Sequence, residues 1–122
     1  MIRISQTKDT PEIILDKQNN VFEIRGRSLP EDADKFYSPI LEWIENYVKD
    51  PNPETVLTVD LEYFNSSSIK QLVILFVKLQ SIVKTENKVK IIWSYPQNDE
   101  LIEVKGQELK SILTVPFELN AV

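Results

Sequence analysis

The run Asn65-Ser66-Ser67-Ser68-Ile69-Lys70 gathers three hydroxyls and an amine within six residues. Three chemistries fit it. The first is capping: Asn and Ser oxygens accept the free N–H groups of a helix's first turn. One such residue suffices, which leaves two hydroxyls over. The second is nucleophilic catalysis, because Ser67-Ser68-Ile69-Lys70 fits the S-x-x-K pattern of penicillin-binding enzymes. That chemistry needs a desolvated lysine, and the companion S-D-N and K-T-G motifs are absent from the chain. The third is reversible phosphorylation. A helix start tolerates added negative charge, since unpaired N–H groups and the positive end of the helix dipole lie there. A phosphate brings roughly -2 charges, and any partner docking beside it would have to desolvate a dianion.

Composition narrows the choice. The chain has no Cys and no His. This excludes thiolate chemistry, disulfides, a Ser-His-Asp triad and nearly all zinc sites. Its two glycines, Gly26 and Gly106, cannot build a P-loop or a dinucleotide fingerprint. The net charge is -5 with no basic stripe, so neither nucleic acid nor an anionic membrane is an expected partner. No metal or cofactor is expected. The opening MIRISQTKDTPE lacks the apolar core of a signal peptide. The run LVILFV is far shorter than the ~18 apolar residues of a membrane span. A cytoplasmic setting is therefore expected. A length of 122 residues fits one domain, 1–122, with one core.

The elements that must position the serines follow from periodicity. EIILD (12–16) and VFEIR (21–25) read as a hairpin joined by KQNN, with Gly26 ending the second strand. SLPEDAD has helix-start character. A helix is predicted over 35–49, with Phe36, Ile40, Trp43, Ile44 and Tyr47 on its apolar face. Pro39 either opens its regular part after Ser38 as cap or kinks it, and DPNPE stops it. TVLTVDLEYF (55–64) reads as a strand with Leu57, Val59, Leu61 and Tyr63 on one face and Thr58, Asp60 and Glu62 on the other. Asp60 and Glu62 are expected to be solvated, and Trp43 and Trp93 to lie in the core.

A helix over 67–84 is predicted to bury Ile69, Leu72, Val73, Phe76, Leu79 and Val83. Ile74, Leu75 and Ile82 fall outside that stripe. Ile74 sits among Lys70, Lys78 and Ser81 and suggests a docking surface. Lys70 and Lys78 suit steering of an acidic partner or pairing with a phosphate. KVKIIWSY (88–95) reads as a strand. A helix follows over 98–113, weakened by Gly106 by roughly 1 kcal/mol relative to Ala. VPFEL (115–119) is a last strand. The order β-β-α-β-α-β-α-β implies an α/β domain: a mixed sheet of about five strands with three helices and right-handed crossovers.

Several stretches, in order over about residues 12–119, carry a resemblance. They are Gly26-Arg27-Ser28-Leu29-Pro30-Glu31-Asp32, Phe36-Tyr37-Ser38-Pro39 with Trp43 and Tyr47, and Leu61-Glu62-Tyr63-Phe64-Asn65-Ser66-Ser67-Ser68. Trp93 with Tyr95, Glu103 with Gly106, and Val115-Pro116-Phe117-Glu118 complete the set. In these the chain resembles the SiaC-like regulatory phosphoproteins, bacterial domains related in fold to STAS domains and anti-sigma-factor antagonists. The resemblance implies a STAS-like, non-catalytic adaptor in a partner-switching circuit. A kinase phosphorylates it and a PP2C-type phosphatase reverses this. The unphosphorylated form binds a target, such as a diguanylate cyclase in biofilm and c-di-GMP control. It places the phosphoacceptor at Ser66, with Ser67 and Ser68 as alternates. Partner contacts are expected from Tyr63, Asn65, Ser67, Ser68, Lys70, Ile74 and Lys78, and from Ser28, Pro30 and Glu31 in a loop flanking the serines. The alternative is a STAS-like binding or structural module without phosphorylation.

Overall fold

The computed structural model describes residues 1–122. Along the chain run β1 (Ile2–Ile4), β2 (Glu12–Asp16), β3 (Val21–Ser28), α1 (Ala33–Tyr47), β4 (Glu54–Phe64) and α2 (Ser66–Gln80). A 3-10 turn (Ser81–Lys84), β5 (Lys88–Tyr95), α3 (Glu100–Ile112) and β6 (Phe117–Ala121) complete it. The six strands form one mixed sheet in the order β1-β2-β3-β4-β5-β6. β1, β2 and β3 pair antiparallel; β3, β4, β5 and β6 pair parallel. β1 is a strand beyond the five expected. Its three residues are too few to show an alternation, and it is held by pairing with Ile13–Leu15.

Each parallel strand is reached through one helix, and each step moves the same way across the sheet. Right-handed crossovers then put all three helices on one face. Phe22, Ile24, Leu57, Val59, Leu61, Val89, Ile91 and Trp93 alternate inward and join the helices in a single buried apolar cluster. The other face carries polar residues between apolar ones. There Arg25 donates to Asp60 at 3.1 Å and to Glu23 at 3.4 Å, so Asp60 is half-buried and paired rather than freely solvated.

Gly26, at φ +111°, does not end β3; the strand continues through it to Ser28. There the pairing slips: Gly26 faces Leu61 and Arg27 faces Tyr63, leaving Glu62 as an extra residue in β4. Such a bulge reverses side-chain alternation. Phe64 therefore turns inward, its ring 5.9 Å from that of Trp93. Tyr63, expected beside Leu57, Val59 and Leu61, is instead 48% exposed.

The helices also depart from the expected faces. Asp32 caps α1 by accepting the Lys35 N–H at 3.1 Å, so Pro39 falls inside the helix and Ser38 caps nothing. The buried stripe is Ala33, Tyr37, Ile40, Ile44 and Tyr47. Trp43 is only half-buried, stacked on Tyr47. In α2 the buried residues include Leu72, Leu75, Phe76 and Leu79. Leu75 joins them because α2 packs against α1 as well as the sheet. The change to 3-10 geometry after Gln80 turns Ile82 inward and leaves Val83 exposed. Ser66–Lys84 is long and apolar enough by composition to cross a membrane, yet these residues supply the middle of the core. Gly106 lies where a Cβ would sit 2.5 Å from Trp93 Cδ1 and 2.7 Å from Leu119 Cδ2. Its lack of a side chain lets α3 reach Trp93, whose indole N–H donates to the Ile102 carbonyl at 3.0 Å.

Candidate functional site

β4 ends at the carboxyl edge of the parallel strands, and the serine run opens α2 there. Asn65 is the cap, with extended backbone (φ -94°, ψ 170°). Its Oδ1 accepts the Ser68 N–H at 2.9 Å and the Ser67 hydroxyl at 3.1 Å. The Asn65 N–H donates to the Ser28 carbonyl of β3 at 3.1 Å. The cap thus ties the start of α2 to the neighbouring strand.

The three serines fall into three environments. Ser66 is exposed. Ser67 is exposed, but its proton is directed to Asn65. Ser68 is 0% exposed; it donates to the Ser28 carbonyl at 2.9 Å and accepts from the Ser28 hydroxyl at 2.8 Å. Because Ser28 has given its only proton to Ser68, the Tyr37 hydroxyl, 2.6 Å away, must be the donor to Ser28. The result is an ordered buried chain, Tyr37 to Ser28 to Ser68 to the Ser28 carbonyl. Burial pushes the Tyr37 pKa up to about 12. Every buried side-chain polar atom is hydrogen-bonded, so this network leaves no unsatisfied group behind.

Ser28, the last residue of β3, lies against the serine run. Ser68 is sealed, so neither a modifying enzyme nor a partner reaches it in this fold. Ser28 and Pro30 are buried as well and cannot be partner contacts, whereas Glu31 is exposed. Lys70 is exposed, so the desolvated base of an S-x-x-K nucleophile pair is missing. Ile74 is 43% exposed in a groove between α1 and α2 shared with Leu41, Glu42 and Lys78. Lys78 does not stand free there, because Glu45 pairs with it at 3.5 Å. Asp34, also on this groove, accepts a hydrogen bond from Gln71.

Two residues at the site were given no role from the sequence. Tyr37 was legible in principle: with Ala33, Ile40, Ile44 and Tyr47 it makes a four-three-four-three spacing. Leu101, 84% exposed, was not. It joins Tyr63, Phe64 and Ile102 around a cleft of about 320 Å³ that Glu62, Asp99 and Lys105 also line. The Arg27 guanidinium lies 5.6 Å from the centre of the Tyr63 ring, a cation–π distance.

All three helices follow parallel strands, so their N-termini share one edge of the sheet. α1 opens with Asp32 and Asp34, and α3 with Asp99, Glu100 and Glu103. α2 opens with a neutral Asn and has no acidic residue in its first turn. Its dipole is the one of the three with no carboxylate in its own first turn.

Fold and site together define a two-layer α/β domain whose accessible reactive groups are hydroxyls on one uncompensated helix start. The chain belongs to the SiaC family of regulatory phosphoproteins, whose family model matches residues 4–122. A protein of Pseudomonas aeruginosa (strain UCBPP-PA14), described only as uncharacterized protein PA14_02130, is 26% identical over 120 residues, covering 98% of this chain and 95% of its own. The fold matches a chain in the crystal structure of the diguanylate cyclase SiaD with its activator SiaC from Pseudomonas aeruginosa. That match has a TM-score of 0.92 at 25% identity and covers 100% of both chains. Apo-SiaC of the same organism matches with a TM-score of 0.86 at 26% identity over 98% of both chains.

Proposed function

We propose that this protein is a non-catalytic, cytoplasmic signalling adaptor that is switched by phosphorylation of Ser66. A cognate kinase, supplying its own ATP and Mg²⁺, adds the phosphate, and a PP2C-type phosphatase removes it. The unphosphorylated form binds and regulates a diguanylate cyclase or another downstream target. The observation that carries this reading is the exposed Ser66 hydroxyl on the helix start that lacks a carboxylate. A dianion there meets the positive end of the dipole and the free N–H groups of the first turn. Ser67 and Ser68 are disfavoured as acceptors by their engaged protons. The downstream partner is supported by the SiaC relative, whose structure holds it as activator of the cyclase SiaD.

The phosphate also lies two residues from the Tyr63–Phe64 cleft. A partner side chain entering that cleft against Tyr63, Phe64, Leu101 and Ile102 would be desolvated near a dianion, which is unfavourable. Tyr63, Ser67, Lys70, Ile74 and Glu31 are the exposed residues assigned to partner contact, with Asn65 holding the turn that presents Ser66.

Intact-mass measurement of protein from native cells tests the reading. The expected result is a species about 80 Da heavier, mapped to Ser66 and removed by phosphatase. Ser66→Ala abolishes it and stays in the partner-bound state; Ser66→Asp weakens partner binding. A phosphate found only at another residue, or none under any growth condition, would overturn the assignment.

A further inference from the structure

Three adjacent serines offer a kinase nearly identical local sequence, so something in the fold must decide which one is presented. We infer that Tyr37, Ser28 and Ser68 form a buried frame that fixes the rotational setting of α2, and that this frame makes Ser66 rather than Ser67 the modified residue. The inference rests on the phosphorylation reading above and names the residues that set its specificity. None of the three touches the phosphate or the kinase; all act by positioning.

The geometry carries the argument. Ser68 is the third residue of α2, and its backbone and side chain are both held: the N–H by Asn65 Oδ1, the hydroxyl by both polar atoms of Ser28. Ser28 is in turn held by Tyr37 from α1. Residues one and two positions earlier on a helix point roughly 100° and 200° away from an inward-facing residue. With Ser68 locked inward, Ser66 is therefore carried to the outer side, while Ser67 lies between and gives its proton to Asn65. Breaking any link removes one buried hydrogen bond from the frame, while the Ser28 carbonyl keeps the Asn65 N–H. A helix freed from it can turn by a fraction of a residue, which draws the already exposed Ser67 off its Asn65 acceptor and frees its hydroxyl.

Tyr37→Phe removes one hydroxyl and keeps the ring in the core, so it is the primary test; Ser68→Ala is the second. Each full-length variant and the parent chain are expressed in native cells, and the phosphate is located by fragmentation mass spectrometry. In the parent the phosphate is expected on Ser66. In both variants the share on Ser67 is expected to rise about fivefold, the factor by which losing one buried hydrogen bond shifts a local equilibrium. Amide hydrogen exchange gives a readout that needs no kinase. In Tyr37→Phe, Ser68 and Ile69 are expected to exchange about fivefold faster, with Val59 and Ile91 in the sheet unchanged. A merely structural role would speed all four amides together and leave the phosphate distribution alone. If the parent is modified on Ser66 and both variants keep that distribution, the frame is refuted and the switch stands. If the parent carries no phosphate on Ser66, both fall.

Discussion

Tyr37 contributes to stability through its protonated form. Its pKa lies near 12 in the fold against about 10 in an unfolded chain. Between those values the unfolded state has released the phenol proton and the folded state has not. Its contribution is therefore complete below pH 10 and is lost as pH rises from 10 to 12. The shift corresponds to roughly 2–3 kcal/mol at the top of that window. Urea midpoints measured at pH 9 and pH 11.5 should fall further in the parent than in Tyr37→Phe. Tyr95, raised by burial and by Glu103, titrates in both proteins and cancels in the comparison. Equal losses in the two would show that the phenol is not buried as described.

Single elements show where helix propensity yields to packing. Ala is the better helix former, so propensity alone predicts that Gly106→Ala stabilises α3 by about 1 kcal/mol. The added Cβ would meet the Trp93 ring and Leu119 well inside contact distance. Overpacking of this kind costs about 1–3 kcal/mol, and the indole N–H bond to Ile102 stands to be lost with it. Gly106→Ala should therefore lower the thermal midpoint and change the Trp93 fluorescence. A raised midpoint would contradict the close approach.

Alternation made β4 and β5 readable, because each has one face in the core and β5 is buried at Val89, Ile91 and Trp93. The hairpin was readable from two β-rich runs and a polar turn. β1 was not, since three residues carry no period. The bulge at Glu62 was not, because an inserted residue is invisible until its partner strand is known, and it misplaced Tyr63. At the site, the run Asn65–Ser68 announced a helix start in its residue types alone. Which serine points where depended on β3 and α1, elements forty and about thirty residues earlier, and no local pattern contains that.

For the molecule as a whole, the chain already carries a net charge of -5, so two further negative charges raise the general self-repulsion. At α2 they also meet an uncompensated dipole, worth about 0.3–1 kcal/mol at low salt. The local attraction decays over one turn, whereas the general repulsion is spread over the surface. We expect the Ser66 phosphoform to melt a few degrees above the unmodified chain at low ionic strength, with the gap narrowing as salt screens it. Calorimetry of both forms at 20 mM and 500 mM NaCl checks this; a phosphoform that melts lower at low salt would place the phosphate away from the helix start.

Side-by-side placement of the strands in the order of their synthesis bears on how this chain reaches its native state. No strand has to be threaded between two that are already paired. The β2–β3 hairpin is a local unit, and β4, β5 and β6 each add to an existing edge by closing one helix-containing crossover, whose entropic cost grows only slowly with its length. Assembly can proceed as outward growth from one end of the sheet, and the serine turn forms only when β4 docks on β3, since its anchor at Ser28 belongs to the strand laid down before it.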